Sequence, residues 1–247
     1  MNLGIVVPCY NEKDVLVETT ARLLTALTKL QDAGKVDANS GIWFVDDGSS
    51  DETWVLIEQL SERHSAVRGI KLSRNRGHQN ALIAGLFEAP GDALISLDAD
   101  LQDDIDVIET MVDAFHDGYD VVYGVRENRD TDSIFKRWSA ESYYRLLRIL
   151  GIEVVFNHAD CRLLSRRVLD CLRDYREVNL FLRGIVPTLG FKSTEVSYRR
   201  SERFAGKSKY PLSRMLSLAL DGVTSFSAFP LRLITITGLL VFLLSIA

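Results

Sequence analysis

The chain has 247 residues, of which 47% are hydrophobic and 26% are charged, and 29 basic against 34 acidic side chains give a net charge of −5. This composition predicts a globular α/β protein with one sizeable domain and an appendage, and it excludes a disordered chain. A net acidic chain lacks the dominant basic face that nucleic-acid binding needs, so we expect no nucleic-acid partner.

From residue 1 to about residue 125, short apolar runs alternate with amphipathic stretches. The predicted strands are Leu3–Val7, Gly41–Val45, Val67–Leu72, Ala93–Leu97 and Asp120–Tyr123. The predicted helices between them are Val15–Leu30, Trp54–His64, Gln79–Glu88 and Ile105–Phe115. The alternation predicts βαβ units and a mostly parallel, Rossmann-like sheet, with ligands at the carboxyl ends of its strands.

The later part of the chain predicts two further helices, Asp132–Leu150 and Arg166–Arg173, and a strand at Lys192–Tyr198. Between Arg199 and Arg214 six basic residues stand against one acid, and an amphipathic stretch and an apolar run follow. This order predicts docking at an anionic membrane surface, with a core helix beside a solvated basic loop as the alternative. We expect a globular domain over residues 1–210, an interfacial amphipathic helix over 211–229 and the truncated start of a transmembrane helix over 230–247.

The strongest chemical signal is LDADLQDD (Leu97–Asp104), which directly follows a predicted strand. Asp98 and Asp100 lie on the same side of an extended segment, where two carboxylates suit Mg²⁺ or Mn²⁺ that also binds phosphate oxygens. An acidic turn that caps the following helix is the alternative, and it accounts for Asp104 better than for the Asp98–Asp100 pair.

Two more polar turns follow predicted strands: VVPCYNE (Val6–Glu12) and VDDGSSD (Val45–Asp51). Tyr10 offers a ring that can stack on a base, and Glu12 offers hydrogen-bonding groups. The second turn is equally consistent with a simple helix cap. Three polar turns at neighbouring strand ends together predict a nucleotide-diphosphate site. The histidines have no metal-ligand spacing and are interpreted as surface or structural residues: His64, His78, His116 and His158.

VVPCYNE, VDDGSSD, LDADLQD, ADCRL and RFAGKSKYPL, in this order, resemble family 2 glycosyltransferases of the polyprenyl-phosphate branch, which includes dolichyl-phosphate mannose synthases and bactoprenol glucosyltransferases. The resemblance implies a GT-A fold and inverting transfer of a hexose, by default glucose, from a UDP-sugar to polyprenyl phosphate. It also implies Mg²⁺ or Mn²⁺, a homotetramer, and the cytoplasmic face of the inner membrane. GlcNAc, GalNAc, galactose and GDP-mannose donors stay open, as does a catalytically silent nucleotide-sugar-binding module.

The resemblance also implies roles for single residues. It assigns the nucleotide-sugar to Pro8, Tyr10, Glu12, Asp47, Asp98, Ala99, Asp100, Arg126, Arg137 and Arg203. It assigns the metal to Asp100 and Gln102, the acceptor phosphate to Arg162, Lys207 and Lys209, and catalysis to Asp98, Asp100 and Asp160. Asp160 matches the position of a catalytic base. Because a phosphate monoester has a second pKa of about 6 and is already ionised at neutral pH, Asp160 is alternatively a residue that orients Arg162 or the acceptor.

Overall fold

The computed structural model describes residues 1–126, 158–175, 182–198 and 229–246. The chain divides into two compact units. The first comprises Met1–Asp130, Asn157–Arg176 and Leu189–Lys207, and the second comprises Thr131–Phe156, Glu177–Thr188 and Ser208–Ala247. All three predicted polar turns, after the first, second and fourth strands, belong to the first unit.

The first unit alternates strands with helices. Its strands are β1 (Leu3–Cys9), β2 (Gly41–Asp46), β3 (Val67–Lys71), β4 (Ala93–Ser96), β5 (Val121–Arg126), β6 (His158–Ser165) and β7 (Ser193–Tyr198). Its helices are α1 (Leu16–Asp32), α2 (Thr53–Arg63), α3 (His78–Glu88), α4 (Val107–His116) and α5 (Arg166–Arg173). The helices described in the second unit are α6 (Leu182–Thr188) and α7 (Phe229–Ile246).

Within the described residues the strands form one sheet in the order β3-β2-β1-β4-β6-β5-β7. The pairs β1–β2, β1–β4, β2–β3 and β5–β7 are parallel. Strand β6 runs antiparallel to both of its neighbours, β4 and β5. The mostly parallel α/β sheet predicted from the sequence is therefore confirmed, with one reversed strand inserted near its centre.

Helices cover both faces of the sheet around β1, and every residue of β1 is buried. Successive strand side chains point to opposite faces. Ile5 belongs to the same core cluster as Leu23 of α1. On the other face α3 lies so close that a Cβ added at Gly85 would be 2.4 Å from Val6 Cγ1. This tight packing fixes the direction of α3, whose first residue is His78 at the carboxyl edge of the sheet.

The predicted elements and the structure differ chiefly at β6. The sequence predicted no strand over His158–Ser165, whereas this segment pairs with both β4 and β5. The predicted strand Asp120–Tyr123 begins one residue later and continues to Arg126. The helix predicted at Arg166–Arg173 is confirmed. The helix predicted at Asp132–Leu150 and the amphipathic helix predicted over 211–229 lie outside the described residues, apart from residue 229, where α7 begins.

In the second unit, α7 presents exposed apolar side chains along its length from Ile234 to Ile246. Among the described residues, however, no helix has both the length and the apolar character that a membrane span requires. The prediction that residues 230–247 begin a transmembrane helix therefore finds no support in the structure.

Candidate active site

Strand pairing brings the predicted turns to one edge of the sheet. Because β1, β2 and β4 are parallel, their carboxyl ends meet there, and because β6 is antiparallel, its amino end joins them. Ser96 of β4 pairs with Arg162 of β6. Its hydroxyl donates a hydrogen bond to the main-chain oxygen of Asp160. The residues two positions beyond this pair, Asp98 and Asp160, are therefore neighbours.

Three side chains meet at this edge and form what we call the His78–Asp98–Asp160 cluster. His78 Nε2 lies 3.6 Å from Asp98 Oδ1 and 3.6 Å from Asp160 Oδ2. One ligand atom from each residue lies within 4.8 Å of the other two. His78 Nε2 is buried and makes no hydrogen bond in the part of the chain that the structure describes. Ligands placed about 2.1 Å from a shared ion are about 3–4 Å apart, so the cluster fits a divalent cation.

The electrostatics of Asp98 favour a bound cation. The pKa of Asp98 is raised to about 6, and partial burial of the carboxyl is the largest cause. His78 opposes this rise in the pKa, whereas the nearby carboxylates of Asp160, Asp103 and Asp100 add to it. A carboxylate that is costly to ionise beside other carboxylates gains most from a positive ion.

The buried side chain of Arg162 is hydrogen-bonded to Asp160. This side chain is completely buried, and its Nη2 donates a hydrogen bond of 3.1 Å to Asp160 Oδ1. In the sheet Arg162 lies opposite Tyr123 of β5, where burial raises the pKa of the Tyr123 hydroxyl to about 12 and the arginine opposes that rise. A buried charge-assisted bond fixes the orientation of the carboxylate. The guanidinium offers no exposed surface for the predicted contact with an acceptor phosphate.

The loop after β4 is held in a strained conformation. Leu101 is buried and has φ of +56°, which is unfavourable for a residue other than glycine. The main-chain N–H of Gln102 donates a hydrogen bond to Asp100 Oδ1 at 3.2 Å. At the end of β7, the Tyr198 hydroxyl donates to Asp103 Oδ1 at 2.7 Å in a buried contact. These bonds keep the acidic loop in one conformation at the edge of the sheet.

The two other predicted turns bind each other. Ser49 Oγ accepts the Asn11 N–H at 2.9 Å, and Asn11 Oδ1 accepts the Ser50 N–H at 2.8 Å. The Glu12 N–H donates to Thr53 Oγ1 at 2.9 Å. Asn11 has φ of +54°, a left-handed conformation that asparagine tolerates better than most residues. The turns after β1 and β2 therefore form one hydrogen-bonded unit.

The structure places the other predicted site residues as follows. Pro8 pairs with Val45 in the sheet, and Tyr10 is partly exposed beyond it. Ala99 is buried, and its carbonyl accepts the hydroxyl of Thr19 at 2.9 Å. Both carboxylate oxygens of Asp47 accept backbone N–H groups of the loop before α3. Arg126 ends β5, but its side chain lies outside the description, as do these entire residues: Arg137, Arg203, Lys207 and Lys209.

The sequence interpretation of His78 as a surface or structural residue missed its place in the cluster. Its spacing from Asp98 and Asp160 along the chain follows no metal-binding motif. The available signal was its position at the start of the helix after β3, because that helix begins at the same edge as the polar turns. Asp98 and Asp160 lie together as members of the predicted catalytic group, whereas the metal-ligand role of Asp100 and Gln102 stays a prediction.

The family model described as Glycosyl transferase family 2 matches residues 4–173. An uncharacterised glycosyltransferase of Bacillus subtilis, YkoT, is 53% identical over 245 residues, which cover 98% of this chain and 73% of that protein. The bactoprenol glucosyl transferase of Shigella phage SfV is 38% identical over 98% of this chain and 77% of its own length. These findings confirm the resemblance to the polyprenyl-phosphate branch that the motifs indicated.

A solved structure confirms the GT-A-like fold. Glucosyl-3-phosphoglycerate synthase from Mycobacterium tuberculosis, crystallised with Mn²⁺, UDP and phosphoglyceric acid, superposes with a TM-score of 0.59. The match covers 89% of this chain and 75% of that chain at 17% sequence identity. At this identity the likeness concerns the fold alone.

We predict that Asp98→Asn stabilises the metal-free protein at neutral pH. Folding raises the pKa of Asp98 to about 6. The folded state therefore binds the proton more tightly than the unfolded state, and ionisation of Asp98 lowers the free energy of unfolding as the pH rises from about 4 to about 6. Thermal unfolding in EDTA should show the variant above the wild type at about pH 7, and a smaller difference below about pH 5.

The control for this measurement is Asp104→Asn, which removes an exposed carboxylate from the same loop. If the Asp98→Asn variant differed from the wild type by the same amount at both pH values, the raised pKa of Asp98 would be contradicted.

Proposed function

Because the chain belongs to glycosyl transferase family 2, we propose that it transfers a hexose from a UDP-sugar to polyprenyl phosphate, with inversion at the anomeric carbon. Glucose is the proposed sugar, since the bactoprenol relatives are named for glucosyl transfer. The observation that carries the proposal is the His78–Asp98–Asp160 cluster at the carboxyl edge of the sheet. Open α/β sheets bind their ligands at this edge, and a cation there suits a nucleoside diphosphate.

We propose that Asp98, Asp160 and His78 hold a divalent cation, together with Asp100 and Gln102 from the family resemblance. The fit rests on the buried His78 Nε2, which makes no hydrogen bond within the described chain, and on the raised pKa of Asp98. When bound, the cation neutralises charge on the diphosphate leaving group. An imidazole ligand favours Mn²⁺ over Mg²⁺, because Mg²⁺ prefers oxygen.

In this proposal, the residues around the cluster bind the nucleoside and orient the acceptor phosphate. The turn of Tyr10 and Glu12 holds the nucleoside, beside the turn to which it is hydrogen-bonded. The acceptor phosphate is largely ionised at neutral pH, because its second pKa is about 6, so attack on the anomeric carbon needs no strong base. Asp160, fixed by Arg162, then orients the attacking oxygen rather than removing a proton. Departure of the nucleoside diphosphate completes an in-line displacement.

The acceptor side is proposed to lie at the cytoplasmic surface of the cell membrane. A polyprenyl chain stays in the bilayer, so the transferase must reach the headgroups. Two features support this place: the basic segment around Arg203, Lys207 and Lys209, and the exposed apolar side chains of α7, among them Phe242 and Leu244. Basic residues attract anionic lipid headgroups, and exposed apolar side chains favour the interface.

The activity is tested directly by supplying radiolabelled nucleotide-sugars and undecaprenyl phosphate to the full chain. With Mn²⁺ we expect UDP-glucose to label the lipid extract more than UDP-GlcNAc, UDP-GalNAc, UDP-galactose or GDP-mannose do. Asp160→Asn should lower the rate by about 100-fold or more, since it leaves Arg162 without its carboxylate and the acceptor without its orienting group. EDTA should abolish labelling.

Release of UDP without labelled lipid would contradict the acceptor. Donor binding without any turnover would favour the silent nucleotide-sugar-binding module instead.

Mn²⁺ binding tests whether His78 belongs to the proposed ligand set. We expect His78→Ala to weaken Mn²⁺ binding, measured by electron paramagnetic resonance in the presence of UDP, by about tenfold or more. The matched control is His116→Ala, because His116 lies on α4 and hydrogen-bonds the Lys35 carbonyl at 2.9 Å. If His78→Ala bound Mn²⁺ like the wild type while Asp100→Asn and Gln102→Ala did not, the ligand set would be the one implied by the family resemblance.

The basic segment gives a separate prediction. Replacing Arg203, Lys207 and Lys209 with glutamine should abolish transfer to lipid phosphate while changing UDP affinity little, because these cations are proposed to bind the acceptor phosphate and the membrane. Lipid labelling and UDP titration measure the two effects. The control removes three cations that are exposed elsewhere on the chain, Arg63, Arg68 and Lys71. Equal losses of transfer and of UDP binding would argue against an acceptor site.

A further inference from the structure

The loop between β3 and α3 is tied to the turn after β2 by one buried carboxylate. Asp47 Oδ1 accepts the Arg76 N–H at 2.6 Å, and Asp47 Oδ2 accepts the Gly77 N–H at 2.9 Å. The Asp47 residue is 3% exposed. Burial raises the pKa of Asp47, and the two N–H groups oppose that rise. Hydrogen bonds to an ionised acceptor are roughly twice as strong as neutral ones, so this contact anchors the end of the loop.

A second observation shows that the same turn and loop are packed backbone against backbone. Gly48 has φ of +68°, and a Cβ added there would lie 2.6 Å from both the carbonyl carbon of Arg74 and the amide nitrogen of Asn75. No other residue fits this position without moving the loop. The turn after β2 therefore fixes the loop both by hydrogen bonds and by close contact.

The anchored loop leads directly into the candidate active site. Gly77, with φ of +90°, precedes α3, and the next residue is His78. Helix α3 itself is also held in place, because Gly85 packs it closely against Val6 and Val45. The backbone of His78 is thus fixed from both sides, and its imidazole lies 3.6 Å from each of the two cluster carboxylates.

We propose that Asp47 is a positioning residue, which holds the Arg76–Gly77 backbone so that His78 stays within ligand distance of Asp98 and Asp160. This role differs from the direct nucleoside contact that the family resemblance implies for Asp47. The inference rests on the proposed function in one respect, namely that the cluster binds a cation. Through this contact, the turn after β2 determines where the His78 side chain lies.

Two variants disturb the loop in different ways. Asp47→Asn keeps the size of the side chain but replaces one acceptor oxygen with a donor that faces an N–H group. Gly48→Ala leaves the Asp47 carboxylate and its two N–H donors in place, but it forces a methyl group against the Arg74–Asn75 backbone. The matched control is Asp51→Asn, because Asp51 belongs to the same turn and accepts the Thr53 N–H at 3.0 Å. Circular dichroism verifies that each variant is folded.

The primary measurement is amide hydrogen exchange in the full chain without metal or nucleotide. We expect the Arg76 and Gly77 amides to exchange about tenfold faster or more in Asp47→Asn, with the His78 ring resonances shifted. Gly48→Ala should shift the same ring resonances. Asp51→Asn should change neither. Mn²⁺ alone, added without UDP, should bind several-fold more weakly to the first two variants than to the wild type.

The outcomes separate this inference from the proposed function. If Asp47→Asn lost UDP affinity in EDTA but kept wild-type Mn²⁺ binding, Gly77 exchange and His78 resonances, Asp47 would be a nucleoside ligand and the inference would be overturned. If the wild type bound no Mn²⁺, the cation part of the proposed function would fail. The His78 resonances in Asp47→Asn would still decide the positioning role: shifted resonances support it, and unchanged ones overturn it.

Discussion

The crowding of carboxylates at one partly buried edge of the sheet is the constraint on which the rest of this site depends. Partial burial is the largest cause of the raised pKa of Asp98, and the neighbouring carboxylates of Asp160, Asp103 and Asp100 raise it further. The protein offsets part of this repulsion by giving single carboxylates their own donors, as Tyr198 does for Asp103. Asp98 and Asp160 keep oxygen atoms directed toward His78. An edge with this charge distribution fits a positive ion.

The reversed strand β6 is what makes the cluster possible. In a purely parallel sheet, the strand beside β4 would also have its carboxyl end at this edge, and the chain would leave the sheet there. Because β6 enters the sheet at this edge, Asp160 lies at its beginning, and Arg162 two residues later reaches the sheet interior. Hence one strand supplies both the carboxylate and the buried cation that orients it. The energetic cost of burying Arg162 is repaid only if that pairing is maintained.

Local patterns predicted the parallel part of the fold, and pairing between distant segments decided the rest. Alternating strand and helix signals located β1 to β4, and the rule that ligands bind at carboxyl ends located the turn of Asp98. The same reasoning missed β6, because an arginine in the middle of the segment reads as a solvent-exposed residue until its partner is known. It missed His78 because a ligand set drawn from α3, the loop after β4 and β6 has no fixed spacing in the sequence.

In the proposed reaction, the donor and acceptor sides come from different parts of the chain. The polar turns, the cluster and Arg162 all lie within residues 4–173, which the family model matches. The cations proposed to meet the acceptor phosphate, Arg203, Lys207 and Lys209, follow that region. In the proposed function, the diphosphate lies at an edge fixed by rigid strands, whereas the lipid phosphate is met at a membrane surface by long basic side chains. The likeness to a synthase crystallised with phosphoglyceric acid, at 17% identity, concerns the fold, and a shared fold does not by itself fix the acceptor.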